Sequence, residues 1–410
     1  MKIRTLALAT LALAAGAQAQ AALSLTGYTQ FYIGGSSALT PVIKGVLGAN
    51  CNATGYTTYA DNADGKSNFL FTCTLKAGSG LAKAISGNNT ATPNIAVFKR
   101  DAGGSAMGVN PIATNTAVGF LDAATIDTAT KTGAQTNMVV PQMGASDVEP
   151  ALLQEPLNLV AGTSALTATQ LGTLNVKTAL LQTFGVAVNA SLYADLQTAQ
   201  GLTGAAVPSI PTAWIQSLVN KGGLGGAAIT WGTLLGNTDG STVNICRRAP
   251  GSGTQAGAQL LFSPYGETPM NHAEDDDGSF VTVTEGGSTG NVKTCLNNVT
   301  GAGNYALGWV GYENKPGSSD TWKFVKLDGV TADISNALNG RYAYAFESTI
   351  NYKKTLSGTP LALVNAFYAA MNTPAVLSSL SADLQSAVYP AGLANVTRRG
   401  DSRNPLKYFQ

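Results

Sequence analysis

Four short stretches combine glycine with serine or threonine where apolar strand patterns give way to helical ones. They are Gly34-Gly35-Ser36-Ser37-Ala38, Gly103-Gly104-Ser105-Ala106-Met107-Gly108, Gly144-Ala145-Ser146-Asp147 and Arg247-Arg248-Ala249-Pro250-Gly251-Ser252-Gly253-Thr254. The chemistry open to such turns is anion binding. The first amides of a helix lack intrahelical partners and sit at the positive end of its dipole, so they attract negative charge. Glycine lets the backbone come close to a ligand, and the hydroxyls add donors. The fourth stretch adds arginine, whose planar fork grips an oxyanion through two charge-assisted bonds. Taken singly, each turn also reads as an ordinary N-cap, and Arg247-Arg248 as a surface ion pair. The conjunction of the four, one with arginine and one ending in Asp147, points to a site. A carboxylate among anion-binding donors accepts from a protonated oxyanion and sets lone pairs against one that carries no proton.

These turns need elements to hold them. Gln30–Ile33, Ile95–Lys99, Gln182–Asn189, Val243–Arg247, Leu307–Tyr312 and Trp322–Leu327 read as strands, while Thr40–Leu47, Leu192–Gln200, Ala213–Val219, Gln255–Phe262 and Leu361–Met371 read as helices. A short strand, a Gly/Ser turn and a helix recur, which predicts an α/β architecture. Ala123–Asn137 and His272–Gly290 read as surface excursions. The second carries Glu274-Asp275-Asp276-Asp277 and Gly286-Gly287-Ser288-Thr289-Gly290 and reads as a solvated loop, with a calcium site the alternative for its carboxylates.

Length and composition narrow the function. A chain of 410 residues exceeds what one core usually supports, so two domains or one two-lobed unit is expected. Lys+Arg is 24 against Asp+Glu 23, which leaves no basic excess for nucleic acid. Charged residues make up 11% of the chain, against about 25% in ordinary soluble domains. A single histidine, His272, argues against His-based metal sites and Ser-His-Asp chemistry. No cofactor is implied.

The N-terminus pairs Lys2 and Arg4 with an apolar run from Leu6 to Ala15 and a small-x-small site at Ala17-Gln18-Ala19, which predicts an export signal over residues 1–21. No later stretch has the length and apolarity of a membrane span, so a periplasmic or secreted location is expected. There Cys51, Cys73, Cys246 and Cys295 are expected to form disulfides, with local pairing, Cys51–Cys73 and Cys246–Cys295, favoured over the other connectivities. Arg398-Arg399-Gly400-Asp401-Ser402-Arg403 contains Arg-Gly-Asp and reads as a terminal solvated charge cluster.

Several of these segments resemble one family in its order. Arg247 to Thr254 looks like the Arg-x-Asp-Gly-Ser-Gly-Thr signature of phosphate-binding proteins of bacterial ABC importers. Gly144-Ala145-Ser146-Asp147 is similar to their Gly-Ala-Ser-Asp-Ala-Pro segment, and Gly34 through Pro41 to their first glycine-rich turn. Thr183–Asn189 resembles their crossover strand, Leu307–Glu313 their returning strand, and Asn339-Gly340-Arg341-Tyr342 their Gly-x-Tyr-Pro element. The resemblance implies a two-lobed type II periplasmic-binding-protein fold with a ligand cleft between lobes, residues 22–185 and 308–410 in lobe one and 186–307 in lobe two. It implies a ligand set of Ser37, Ala38, Leu39, Ser105, Asp147, Arg248, Ser252, Gly253 and Thr254, with Asp147 accepting the ligand's proton and Arg248 as ionic partner. It also implies phosphate or a related protonated oxyanion as ligand and an ABC permease as partner. The chain departs from the pattern at Pro250, where the family has Asp, at Ala38 for Thr, at Leu39 for Phe, and in a longer Ser105–Asp147 interval.

Other functions stay open. A secreted structural protein that keeps the fold with a decayed site suits the low charge and high Thr/Ala/Gly content. A phosphatase of the DING type lacks an evident metal cluster or a histidine partner for a serine nucleophile.

Overall fold

The computed structural model describes residues 22–62, 67–219, 235, 243–263 and 281–408. The expected export signal, His272 and Glu274–Asp277 lie outside the described residues.

The strands used below, in chain order, are β1 (Tyr28–Gly35), β2 (Thr57–Asp61), β3 (Asn68–Thr74), β4 (Asn94–Arg100), β5 (Val118–Phe120), β6 (Thr132–Gly133), β7 (Asn137–Val139), β8 (Met143–Ser146), β9 (Leu174–Val188), β10 (Ser209–Ile210), β11 (Val243–Arg248), β12 (Val281–Gly286), β13 (Tyr305–Gly311), β14 (Lys323–Leu327) and β15 (Ala345–Lys353). The helices used below are α1 (Thr40–Asn50), α2 (Gly80–Ser86), α3 (Asn110–Thr114), α4 (Ala168–Leu171), α5 (Ala190–Ala199), α6 (Thr212–Val219), α7 (Gly253–Phe262), α8 (Thr289–Asn298), α9 (Ile334–Leu338) and α10 (Gly358–Met371). Every strand and helix expected from the sequence falls on one of these elements.

Strand order is β12-β11-β13-β9-β15-β8-β1-β4-β3-β2-β6. Two parallel groups flank an antiparallel centre. β8, β1 and β4 run parallel on one side, and β12, β11 and β13 on the other. The long strand β9 joins them. Its first part, Leu174 to Thr183, pairs antiparallel with β15, and its last part, Phe184 to Val188, pairs with β13. The chain therefore passes from one half-sheet to the other between Thr183 and Phe184. The return comes later than the expected residue 308. β13 and β14 both pair with the second part of β9, so the chain rejoins the first half-sheet only at β15.

Two main clusters form the core, and the second also takes in Val109, Ile112, Val148 and Leu152 of the first half. Phe31, Ile33, Val97, Met143 and Ile350 of the first half-sheet pack against Leu39, Val42, Ile43 and Val46 before and along α1, and against Leu363, Val364 and Phe367 of α10. Phe184, Val186, Val188, Ile245, Leu307 and Trp309 of the second half pack on Leu192 and Leu196 of α5, Ile215 of α6 and Phe262 of α7. Burying each such side chain contributes roughly 1.5–3 kcal/mol. Two helix-backed half-sheets that share β9 give the α/β, two-lobed architecture expected from the sequence.

The cysteines pair locally. Cys51–Cys73 ties the end of α1 to β3, and Cys246–Cys295 ties β11 to α8. The C-terminal cluster differs from its expectation. Arg398 is only 6% exposed and donates to the carbonyls of Ala343, Ala345, Ser402 and Asn404, while Glu347 accepts from Thr397, Arg398 and Gly400. A guanidinium can enter a core when carbonyls and a carboxylate satisfy it, and here it pins the C-terminal segment onto β15.

Candidate functional site

In parallel α/β sheets, ligands bind beyond the carboxyl ends of the strands. Here six carboxyl ends supply one region. Ser36–Leu39 follow β1, Asp101 follows β4, Asp147 follows β8, Arg248 ends β11, Gly287–Thr289 follow β12, and Glu313 follows β13.

The turn after β1 is held by Gly35, whose φ of +112° suits glycine and whose added Cβ would strike the Ala145 carbonyl. Ser36 Oγ accepts from the amides of Ala38 (3.1 Å) and Leu39 (3.4 Å) and donates to Asp147 Oδ1. Thr254 Oγ1 donates to Asp147 Oδ2 at 3.4 Å, and the Asp147 amide donates to Ser105 Oγ at 3.0 Å. Gly253 closes this knot: a Cβ there would lie 2.5 Å from Ser105 Oγ and 2.7 Å from Asp147 Cβ. Ser252 caps α7 by accepting from the Gln255 amide. The Ala106 amide donates to Gly251 O at 2.9 Å, clamping the α7 turn onto the turn after β4.

Asp147 is 3% exposed. Burial pushes its carboxyl pKa up, against the hydroxyl of Ser36 and the charges of Arg248 and Lys99, which pull it down. The stretch ending in Asp147 does not open a helix, contrary to its reading from sequence. Ser146 Oγ instead bonds both the amide and the carbonyl of Val148, which turns the chain sharply after β8. Gly104–Gly108 likewise forms a 3-10 turn before α3.

A cleft of about 160 Å³ adjoins this knot, lined by Ser37, Ala38, Asp101, Arg248, Ser288, Thr289 and Glu313 among others. Arg248 is 4% exposed, so it is not a surface ion pair. Its Nη1 donates to Thr289 Oγ1 (3.1 Å) and its Nη2 to Gly287 O (3.2 Å), while Nε is enclosed without a partner among the described residues. No ion pair among the described residues involves it, and burial lowers its pKa. Arg247 differs: its guanidinium meets Glu285 at 2.9 Å and donates to Arg248 O. The orientation of Arg248 comes from Thr289 and the Gly287 carbonyl. The Gly286–Gly290 stretch, expected as a solvated loop, ends β12 and starts α8, where Ser288 and Asn291 form a capping box. That stretch therefore belongs to the cleft.

Of the expected set, Ser37, Ala38 and Arg248 line the cleft. Leu39, Ser105, Asp147, Ser252, Gly253 and Thr254 are all buried beside it. Four participants were not singled out from sequence. Ser36 bonds Asp147. Lys99 is fully buried, donating to Gly35 O (2.8 Å), Ser36 O (3.1 Å), Arg100 O (3.3 Å) and Asp101 Oδ1 (2.5 Å). Asp101 takes a further bond from Thr40 Oγ1 at 2.7 Å. Glu313 accepts from Asn314, and burial raises its pKa to about 7. The available signal was position: charged residues at the carboxyl end of an apolar strand, as in Lys99-Arg100-Asp101, belong to the crevice of such a sheet.

Arrangement and charge together suit a small anion. The guanidinium is unneutralised by any described carboxylate within ion-pair distance. Hydroxyls of Ser37 and Ser288 stand around it, and α8, ten residues long, starts beside it.

No known family matches the chain, and no curated protein matches it. Among solved structures, it is similar to a candidate phosphate ABC transporter substrate-binding protein from Clostridium perfringens with bound phosphate, at 14% identity over 88% of this chain and 99% of that one, TM-score 0.49. An ABC-type phosphate transport receptor from Vibrio cholerae is similar at 12% identity over 85% and 96%, TM-score 0.44. An amino acid ABC transporter substrate-binding protein from Streptococcus pneumoniae, bound to L-arginine, is similar at 10% identity over 88% and 96%, TM-score 0.37. These likenesses are distant, and none identifies what this chain binds. No helix among the described residues is long and apolar enough to cross a membrane.

Proposed function

We propose that this protein is an exported solute receptor that captures phosphate, or a related protonated tetrahedral oxyanion, in the cleft between its lobes. The single observation that carries this reading is Arg248: a buried guanidinium without a carboxylate partner among the described residues, lining a cleft walled by hydroxyls. Leaving such a charge in a low-dielectric interior is costly, and an anion from outside restores the balance. Capture works by desolvation. The anion exchanges water for the two-donor edge of Arg248 and the hydroxyls of Ser37 and Thr289.

In this reading the buried layer behind the cleft, Ser105, Asp147, Ser252, Gly253 and Thr254 with Leu39, fixes the two lobes against each other. Lobe one brings Ser37 and Ala38, and lobe two brings Arg248 and α8, so closure assembles the site. The protein is not an enzyme in this account. The export signal over 1–21 and the disulfides suit a periplasmic or secreted receptor, and an ABC permease is the partner that would accept the released anion. Titration of the ligand-stripped protein with phosphate tests the reading: saturable binding at a ratio of one supports it, and no binding refutes it.

A further inference from the structure

We infer that Asp101, rather than Asp147, is the residue that makes the cleft select an anion carrying a hydrogen-bond donor. This rests on the proposed oxyanion reading and assigns its specificity to a residue outside the expected set. Both carboxylates lie near Arg248, but they are placed differently. Asp147 is enclosed, does not line the cleft, and has one oxygen taken by Ser36 and the other by Thr254. Asp101 lines the cleft together with Arg248. Its Oδ1 accepts from Lys99 and Thr40, whereas Oδ2 has no partner among the described residues and is not enclosed.

The neighbours of Asp101 make it a lone-pair acceptor without strong repulsion. Lys99 Nζ stands 2.5 Å from Oδ1 and offsets its charge. The pair thus offers the cleft one oxygen with free lone pairs and little net field. A hydrogen phosphate held by Arg248 can donate its hydroxyl to that oxygen. Sulfate, fully ionised near neutral pH, has no proton to give and would face acceptor against acceptor. A recognition site built around one such bond rejects ligands that cannot make it by large factors, because the buried polar group is left unpaired.

The substitution Asp101→Asn has a defined outcome. Lys99 and Thr40 both donate, so the amide must place Oδ1 where the present Oδ1 stands and turn Nδ2 toward the cleft. An acceptor becomes a donor, with the shape kept. Titration calorimetry with phosphate and with sulfate, on the unaltered protein, Asp101→Asn and Asp147→Asn, tests this. The unaltered protein is expected to bind phosphate and refuse sulfate, and Asp147→Asn to keep that preference whatever it loses in phosphate affinity. Asp101→Asn is expected to lose at least about tenfold of that preference by admitting sulfate. Sulfate still refused by a folded Asp101→Asn variant overturns the inference, as does sulfate admitted by Asp147→Asn. Sulfate admitted by Asp147→Asn overturns the inference even where the first variant fails to fold. Equal binding of both anions by the unaltered protein overturns the inference alone, whereas no binding of either overturns the receptor reading with it.

Discussion

The Ser36 hydroxyl donates to the carboxylate of Asp147, joining the turn after β1 to the end of β8 across 111 residues of sequence. The same oxygen accepts from the amides of Ala38 and Leu39. One side chain thus satisfies the start of α1 and half of a buried carboxylate. Replacing Ser36 by alanine leaves those groups unpaired in an enclosed place, where each unmade bond costs roughly 1–3 kcal/mol. Urea unfolding of Ser36→Ala should show a midpoint well below that of the unaltered protein. An unchanged midpoint would mean the bond does not hold the turn.

Arg248 behaves in the opposite sense. A buried guanidinium with an unmade Nε bond and no ion pair at contact distance among the described residues burdens the unliganded fold, because its desolvation is left uncompensated. Arg248→Met should therefore melt close to the ligand-free parent, the relief of the buried guanidinium offsetting the support it gives to Asp147. A large fall in Tm would assign Arg248 to holding the fold instead of a ligand.

Glu313 gives a pH signature. Its pKa is raised by burial to about 7 from 4.5, opposed by Gln182 and Lys315, and helped by Asp147. Lys315 is itself lowered by burial to about 8, with Asp383 and Asp333 supporting its charge. Between about 4.5 and 7 the folded chain keeps a proton that the unfolded chain has lost, so this group subtracts stability as pH rises through that window. Glu313→Gln removes the effect. It should match the parent near pH 4 and exceed it by roughly 1–3 kcal/mol at pH 8 in denaturant titrations. Equal stability at both pH values would place Glu313 in solvent.

Each disulfide closes a loop of defined length, 22 residues for Cys51–Cys73 and 49 for Cys246–Cys295. The chain-entropy relation gives about 3 and about 4 kcal/mol respectively. Double serine variants at each pair, compared by chemical unfolding under oxidising conditions, should lose stability in that order. The reverse order would mean that strain or residual structure outweighs loop entropy.

Much of the scaffold is legible in the sequence because strand and helix patterns are local. Ile95–Lys99 is an apolar run, Pro41 and Ser252 mark helix starts, and the cysteines lie close enough to pair within their own lobes. Of the expected ligand set, only Ser37, Ala38 and Arg248 line the cleft, and the other six are buried. What sequence spacing hides is which groups face the cleft and which face each other. Asp147 and Thr254 look equally free in the sequence, yet in the fold they bond. Gly286–Gly290 looks like loop, but its position after a strand parallel to β11 sets it against Arg248. Arg398 reads as solvated because charge usually is, and only the carbonyls of distant residues make its burial tolerable.

Titration of the ligand-stripped protein with phosphate, with Arg248→Gln alongside, tests the central claim most directly. The parent should bind saturably and the variant should lose roughly a hundredfold or more, the worth of two charge-assisted bonds. Undiminished phosphate binding by a folded Arg248→Gln variant, or none by the parent, would contradict it.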